Sequence, residues 1–562
     1  MDDVDAVQAQ IARNMLESGD WVIARLDGVP YLEKSPLIYW LIAISYRVLG
    51  VHDWVARLPV ALAAMLLAWL TWRYGKWAFG QRAGFYAGLI IATCVGLFLF
   101  TRIQIPDVML TGCVCMAFWS FQRALDEKET RPWLWSLLLA ASLGVGVMLK
   151  GLIAVVAPVG GIIAYLAITR QLFSAGVWKK LNVLTGALVF LAIAAPWHIL
   201  ATLRMPPYLN FSLHTGPGEY RGFFWFYFIN EHVLRFLNLR YPRDYNTVPR
   251  LAFWSLHLLW LFPWSMFFPA VGRVSFKPVD RAGRTRLLAV CWAGFLLIFF
   301  TFSTTQEYYS MPIYPALALL LGGAMAAESR WLRIGTRAIG LIAASASAVI
   351  AAILYAVRAA PTPGDISVAL QQHPEAYTLS LGHMGDLTLS SFAYLRLPLI
   401  VAGAAFVVGA LGTWFLKGWK GILSVAVMMC VFFHAARLAL ITFDPYLSSR
   451  PLAEALRKAP PGQLILNGAY YSFSSVFFYT GRTALLLNGR NNNLEYGSYA
   501  PHSPRRFIDD REFVSLWTGP SRCYLLAYGT EMPHLAQLVG DSNVRVVTEN
   551  SGNYLLTNYA LP

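Results

Sequence analysis

The chain has 562 residues, 57% of them hydrophobic and 13% charged, with a formal net charge of +15. That balance, with a positive mean hydropathy, excludes an ordinary soluble globule and marks an α-helical polytopic integral membrane protein. The positive charge does not point to nucleic acid, because the basic residues are distributed among the loops as polytopic membrane proteins distribute them.

Residues 1–54 read as a juxtamembrane segment. From Asp2-Asp3-Val4-Asp5 to Trp21, apolar residues recur at helical spacing behind the carboxylates, which describes an amphipathic helix lying along the interface. An acidic first turn is equally what a solvated helix cap would show. No apolar stretch precedes this segment to carry it across the bilayer, so we expect an upstream span, as if Met1 were an internal codon. Tyr31-Leu32-Glu33-Lys34-Ser35-Pro36 follows, an acid and a base side by side at a stiff corner. Lys34 suits a phosphate and Glu33 a hydroxyl or a metal, although an interfacial lysine also snorkels to headgroups.

Apolar stretches able to cross a bilayer core of about 30 Å run approximately at 55–75, 83–101, 108–125, 133–149, 151–169, 182–201, 252–271, 286–303, 309–327, 336–357, 394–416 and 420–443. They give about twelve spans in a transmembrane domain 55–443, and thirteen with the expected upstream helix. If they alternate, Lys76/Arg82, Arg123/Lys128/Arg131, Arg170/Lys179/Lys180, Arg273 to Arg286, Arg330/Arg333/Arg337 and Lys417/Lys420 share the cytoplasmic side. The N-terminal segment, the turn Arg102–Asp107, the turn at Lys150, loop 202–251, the turn at Gln306–Tyr309, loop 359–393 and the tail then share the outside.

On that outer face, Asp107 stands at the membrane boundary beside Arg102 and Pro106, where ionisable groups are costly and commonly functional; a structural Arg-Asp pair would also account for it. Loop 202–251 carries Arg204, Arg221, Arg235, Arg240, Arg243 and Arg250 among Tyr208, Tyr220, Trp225, Tyr227, Tyr241 and Tyr245. Glu231 and Arg235 are four apart on one helical face, with His232 beside them. A surface ion pair explains that spacing, but six arginines call for an anionic partner such as a phosphate, pyrophosphate or anionic headgroup. Tyr308 and Tyr309 line a lipid-tail cavity or anchor at the interface.

The six cysteines show no disulfide framework or zinc spacing. After Phe443 the polarity becomes ordinary, and residues 444–562 read as a small α/β domain. Helices are predicted at Leu452–Lys458 and His534–Val539, strands at Gln463–Leu466, Cys523–Ala527, Val544–Thr548 and Tyr554–Thr557, and strand or mixed structure at Ser475–Tyr479. Asn488–Asn493 reads as a turn, with a sugar-facing loop as the alternative.

Taken together, Ile11-Ala-Arg-Asn-Met-Leu-Glu-Ser-Gly-Asp-Trp21, Gly28-Val-Pro-Tyr-Leu-Glu-Lys-Ser-Pro36, Arg102 with Asp107, Leu149-Lys150-Gly151, Glu231-His232-x-x-Arg235-Phe236 and Tyr308-Tyr309-x-x-Pro312 resemble the C-type (GT-C) glycosyltransferases. The likeness is to the lipid A aminoarabinose transferases of Gram-negative bacteria, with protein O-mannosyltransferases more distant. It implies a multi-pass protein of the bacterial inner membrane, an undecaprenyl- or other polyprenyl-phosphate sugar donor, inverting transfer at the periplasmic face, and a lipid A-like lipid, glycan or protein acceptor. Carried over by position, Asp107 matches the second-loop aspartate, Tyr31, Glu33 and Lys34 the donor-phosphate corner, and Lys150, His232 and Arg235 further headgroup contacts; Arg102, Glu231 and Tyr308 join the donor-binding set. Relatives typically show Asp-Glu-x-Arg-Tyr in the first loop, where this chain has Val4-Asp5-Ala6-Val7-Gln8. The usual catalytic aspartate falls on Val4, and Asp3 or Asp5 is expected to substitute.

In that reading a first-loop carboxylate orients or deprotonates the acceptor hydroxyl, while Lys34 and the arginines stabilise charge on the departing lipid phosphate. Asp107 holds the first-loop helix, binds sugar, or joins Glu33 and His232 around a divalent ion; no other cofactor is called for. A transporter or flippase would concentrate its polar groups near midplane, and a lipid-binding scaffold would keep the arginines without needing Asp3, Asp5 and Asp107.

Overall fold

The computed structural model describes residues 1–214, 216–243, 247–327, 329–371 and 381–561. Tyr245 and residues 372–380 of loop 359–393 lie outside the described residues.

Helix α1 (Asp3–Ser18) begins where the Asp2 side chain accepts from the Asp5 N–H and ends at Gly19 in the left-handed region, which a glycine adopts without steric cost. It buries Ala6, Val7, Ala9, Ile11, Ala12 and Met15. The two-residue strands β1 (Arg25–Leu26) and β2 (Val29–Pro30) pair antiparallel. Their turn is Asp27-Gly28, both at positive φ, as a two-residue hairpin turn requires. This hairpin delivers Tyr31, Glu33 and Lys34 to the start of α2 (Leu37–Leu49).

The bundle continues with α3 (Asp53–Phe79), α4 (Gln81–Thr93), α5 (Val95–Phe100), α6 (Asp107–Leu125), α7 (Pro132–Lys150), α8 (Ile153–Ile168), α9 (Ala175–Lys180) and α10 (Val183–Arg204). Among the described residues, nine helices are long and apolar enough to cross a membrane, or ten if the pair Arg250–Trp260 and Trp264–Val271, bent by 93°, forms one span. Twelve uniform spans are therefore not what the fold shows. Stretch 83–101 divides at Cys94, whose backbone is extended, because the Val95 N–H is taken by the Phe262 carbonyl at 3.2 Å instead of continuing the α4 ladder. Stretch 151–169 forms a helix of only 16 residues, about 24 Å at the usual rise. Stretch 252–271 bends around Pro263, which cannot donate a backbone hydrogen bond. Conversely, α2, within the segment read as juxtamembrane, is itself a short apolar helix.

The C-terminal region folds around a six-stranded sheet of order β5-β4-β3-β6-β8-β7, formed by β3 (Gln463–Asn467), β4 (Leu485–Leu487), β5 (Phe507–Ile508), β6 (Cys523–Tyr528), β7 (Arg545–Asn550) and β8 (Asn553–Thr557). The first four strands in that order are parallel, and β8 runs antiparallel to both β6 and β7. Ser475–Tyr479, read as strand or mixed, lies in a helix, Ser474–Thr480, that packs on α1 and buries Val476, Phe477 and Phe478. Its β-branched and aromatic composition misleads because burial against α1, not strand pairing, satisfies it. Asn488–Asn491 is irregular, and Asn492 opens a helix to Ser498.

Candidate functional site

Asp107 is the first residue of α6 and is 1% exposed. Its Oδ1 takes an ion pair from Lys150 Nζ at 2.5 Å, and its Oδ2 is buried with no hydrogen-bond partner among the described residues. Lys150, the last residue of α7, also stands 4.9 Å and 5.0 Å from the ring centres of Tyr308 and Tyr309, within cation–π range. The Tyr309 hydroxyl accepts from Arg235 Nη2 at 2.9 Å, and Arg235 Nη1 reaches Glu231 at 2.8 Å.

Glu231 shares its other oxygen with Arg240 Nε. Arg240, wholly buried at its side chain, passes on to Glu33 Oε1 at 2.7 Å and to the Pro242 carbonyl at 2.5 Å. Glu33 completes its shell with the Tyr31 hydroxyl at 2.6 Å and Lys34 Nζ at 3.7 Å. One continuous network therefore runs from Asp107 to Lys34 across five separate parts of the chain. Lys34 remains partly exposed.

Glu231 and His232 sit on a π-helical segment, Trp225–Leu234, a form that accumulates at functional sites. Burial pushes the Glu231 carboxyl up, but Arg240 and Arg235 outweigh it and hold it down at about 2. His232, expected among the headgroup contacts, has both ring nitrogens turned to the protein: its Nε2 accepts the Leu152 N–H at 3.1 Å, and its Nδ1 faces the Tyr227 carbonyl. That pattern requires the neutral ring, and burial lowers its pKa accordingly. Gly151, at positive φ, lies against His232, where a Cβ would collide with Nε2. His232 thus fixes the turn that follows Lys150.

The first-loop aspartates do not join Asp107 directly. Asp3 faces the C-terminal region, accepting from Ser449 Oγ at 2.8 Å and the Ser475 N–H at 2.7 Å; burial pushes its carboxyl up to about 6 against those donors. Asp5, 1% exposed, accepts the Gln104 N–H at 2.7 Å and pairs with Arg57 at 2.5 Å. Burial and nearby Asp2 raise its pKa against Arg57. Arg57 also donates to the Arg102 carbonyl, so Asp5 and Arg57 together clamp the turn that delivers Asp107. The Arg102 guanidinium rests over the Phe98 ring. In the same turn, both side-chain amide atoms of Gln104 are buried without a hydrogen-bond partner among the described residues.

Arg57 and Arg240 are the network members that sequence reasoning left out of the site. Arg57 lies in the second turn of α3 with no motif around it, and Arg240 meets Glu33 across 207 positions; only its place in the arginine series signalled it. Much of that series is neutralised internally: Arg204 pairs with Asp20, Arg221 with Glu219, and Arg235 and Arg240 with Glu231. Even so, within the network from Asp107 to Lys34 the cations Lys34, Lys150, Arg235 and Arg240 outnumber the carboxylates Asp107, Glu33 and Glu231 by one. Glu33 and His232 do not fit a metal: the carboxylate is filled by Arg240, Tyr31 and Lys34, and Nε2 is used by Leu152. Among the described residues no group of three His, Cys, Asp or Glu could hold a metal ion.

The fold can be compared with solved structures. ArnT from Cupriavidus metallidurans bound to undecaprenyl phosphate superposes with a TM-score of 0.79 at 22% identity, covering 99% of this chain and 94% of that one. The chain has the GT-C glycosyltransferase fold. In sequence this GT-C chain resembles the lipid A aminoarabinose transferases. The undecaprenyl phosphate-alpha-4-amino-4-deoxy-L-arabinose arabinosyl transferase of Aeromonas salmonicida is 29% identical over 322 residues. That stretch is 56% of this chain and 54% of the relative, so the chain spans about half the length of such curated relatives. The enzyme of the same description from Erwinia tasmaniensis is 25% identical over 92% of this chain and 86% of its own. The profile of dolichyl-phosphate-mannose-protein mannosyltransferases matches residues 33–199, which include Glu33, Lys34, Arg57, Arg102, Asp107 and Lys150.

Proposed function

We propose that this chain is an inverting glycosyltransferase that moves a sugar from undecaprenyl phosphate, or a related polyprenyl phosphate, to a hydroxyl of a lipid A-like acceptor. A glycan or protein hydroxyl is the other acceptor class. Transfer takes place at the periplasmic face of the inner membrane, where the Asp107 network and the C-terminal region lie. The observation that carries this reading is the junction of a carboxylate with one oxygen that has no hydrogen-bond partner among the described residues, Asp107 Oδ2, to a network in which four cations, Lys34, Lys150, Arg235 and Arg240, outnumber three carboxylates.

The acceptor oxygen attacks the anomeric carbon as the carbon–oxygen bond to phosphate breaks, and the lipid phosphate leaves with the electron pair. Lys34, Lys150 and Arg235 stabilise that charge. Phosphate is a good leaving group, so no paired carboxylate acid is required, in contrast to glycosidases. Asp107 Oδ2 takes the acceptor proton or orients the hydroxyl. Asp3 and Asp5 serve the C-terminal junction and the Asp107 turn, because their oxygens already have partners.

The test is transfer of label from undecaprenyl phosphate carrying radiolabelled 4-amino-4-deoxy-L-arabinose to lipid A by protein in lipid nanodiscs. Labelled lipid A supports the reading. Bound donor with no label passed to lipid A, glycan or protein acceptors contradicts it.

A further inference from the structure

A cavity of about 280 Å³ opens at the end of α6 opposite Asp107. It lies among the ends of α3, α6 and α8, helix α9 and the start of helix Arg281–Thr301, and Trp77, Gln122, Glu127, Tyr165, Lys180 and Arg284 line it. The proposed transfer reaction uses none of them.

Gln122 is 8% exposed. Its Oε1 accepts from both the Tyr74 hydroxyl at 2.8 Å and the Thr285 hydroxyl at 2.9 Å. Those two hydroxyls hold the carboxamide by its oxygen end and leave the –NH2 as the other end. Its –NH2 makes no hydrogen bond among the described residues and is left to the cavity that the residue lines. Above it, Arg281 is committed to Asp126 at 2.8 Å and to the Trp77 ring at 4.6 Å. Among the described residues Lys180, Arg284 and Glu127 make no ion pair; Arg284 adds its field to that of Arg281 on Asp126. The cavity thus offers a buried amide donor, two unpaired cations, one unpaired carboxylate and an aromatic wall. Snorkelling alone would account for the cations, but not for an amide held by two hydroxyls with its donor turned inward.

We propose that this cavity binds the headgroup of a membrane phospholipid bearing both a phosphate and a primary amine, as an ethanolamine phospholipid does. The phosphate meets Gln122 Nε2, Lys180 and Arg284, the ammonium meets Glu127, and the acyl chains pass out along the bundle. A headgroup without the amine leaves Glu127 facing an anion.

Native mass spectrometry of the purified, delipidated protein, titrated separately with an ethanolamine phospholipid, a glycerol phospholipid and inorganic phosphate, tests this. The wild type should take up one ethanolamine phospholipid at least ten-fold more tightly than the glycerol lipid. Lys180→Ala/Arg284→Ala should lose that tight site, and Glu127→Gln should erase the preference between headgroups. Gln122→Glu keeps the acceptor for Tyr74 and Thr285 while removing the donor, so it should weaken phosphate-bearing lipid without unfolding the bundle. Equal uptake by wild type and the double variant, equal affinity for both lipids in the wild type, or complete displacement by inorganic phosphate would overturn the proposal.

Discussion

Replacing Arg240 by Met removes a guanidinium that is wholly buried at its side chain and bridges Glu33 and Glu231. Breaking a buried ion pair from one side costs about 3–5 kcal/mol, because a carboxylate is left uncompensated. Glu231 retains Arg235 at 2.8 Å, and Glu33 retains the Tyr31 hydroxyl at 2.6 Å, which places the expected loss near the lower end, about 3 kcal/mol. Arg204→Met is the matched control. Its pair with Asp20 is half exposed, at 52% and 26% for the two side chains, and should be worth no more than about 1 kcal/mol. Thermal unfolding in one detergent should show a drop of several degrees for Arg240→Met and little for Arg204→Met. Arg240→Lys, which keeps charge but not the planar fork, should fall between them. Adding Glu33→Gln to Arg240→Met should recover part of the loss, since the two share one interaction. Equal melting of Arg240→Met and wild type would refute the view that the network is a single buried unit.

Gly151→Ala should sharply reduce transfer while leaving the protein in the membrane, since positive φ and His232 both forbid the side chain; wild-type transfer rates would show that the turn after Lys150 is not constrained. Asp27 joins the β1–β2 hairpin to the C-terminal region through the Ala484 N–H at 3.1 Å, and burial pushes its carboxyl up to about 7 against Arg506. A carboxyl whose folded pKa is raised binds more protons when folded, so its contribution to stability is full below its unfolded pKa of about 4. That contribution declines until the pH passes about 7. Asp27→Asn, which mimics the protonated group, should therefore gain stability relative to wild type as pH rises from 4 to 7, with a constant difference above that; a difference independent of pH would contradict the assignment. Ser475 meets Asp3 through its backbone N–H, and its Oγ accepts the buried Ser449 N–H at 3.0 Å, so Ser475→Ala, which strands that N–H but keeps the backbone donor to Asp3, should open residues 444–562 to limited proteolysis less than Asp3→Ala does. Asp3→Ala should expose them to cleavage.

The membrane bundle was legible in the sequence because about 20 apolar residues in a row have few other uses. The spans that departed from that reading did so for local reasons: Cys94 stands where Phe262 captures a backbone N–H, and Pro263 bends its helix. The site residues nearest a boundary, such as Asp107, Glu33 and Lys150, announced themselves as charges beside apolar runs. Their partners did not. Arg57 and Arg240 look like ordinary basic residues until the fold brings them to Asp5 and to Glu33. The split duties of Asp3 and Asp5 were hidden for the same reason, since neighbours in sequence on α1 face different partners, Asp3 the C-terminal region and Asp5 the turn before Asp107. The π-helical register that turns Glu231 to the network and His232 to Leu152 likewise has no sequence mark.

The central claim, that Asp107 acts on the transferring group while the cations hold the lipid phosphate, is tested most directly by Asp107→Asn. Binding of labelled undecaprenyl-phosphate sugar and its transfer should be measured on the same preparation. The account predicts donor affinity within a few-fold of wild type and transfer reduced by about a hundred-fold or more, the usual weight of a positioned proton acceptor. Wild-type transfer by Asp107→Asn, or loss of donor binding equal to the loss of transfer, would contradict it.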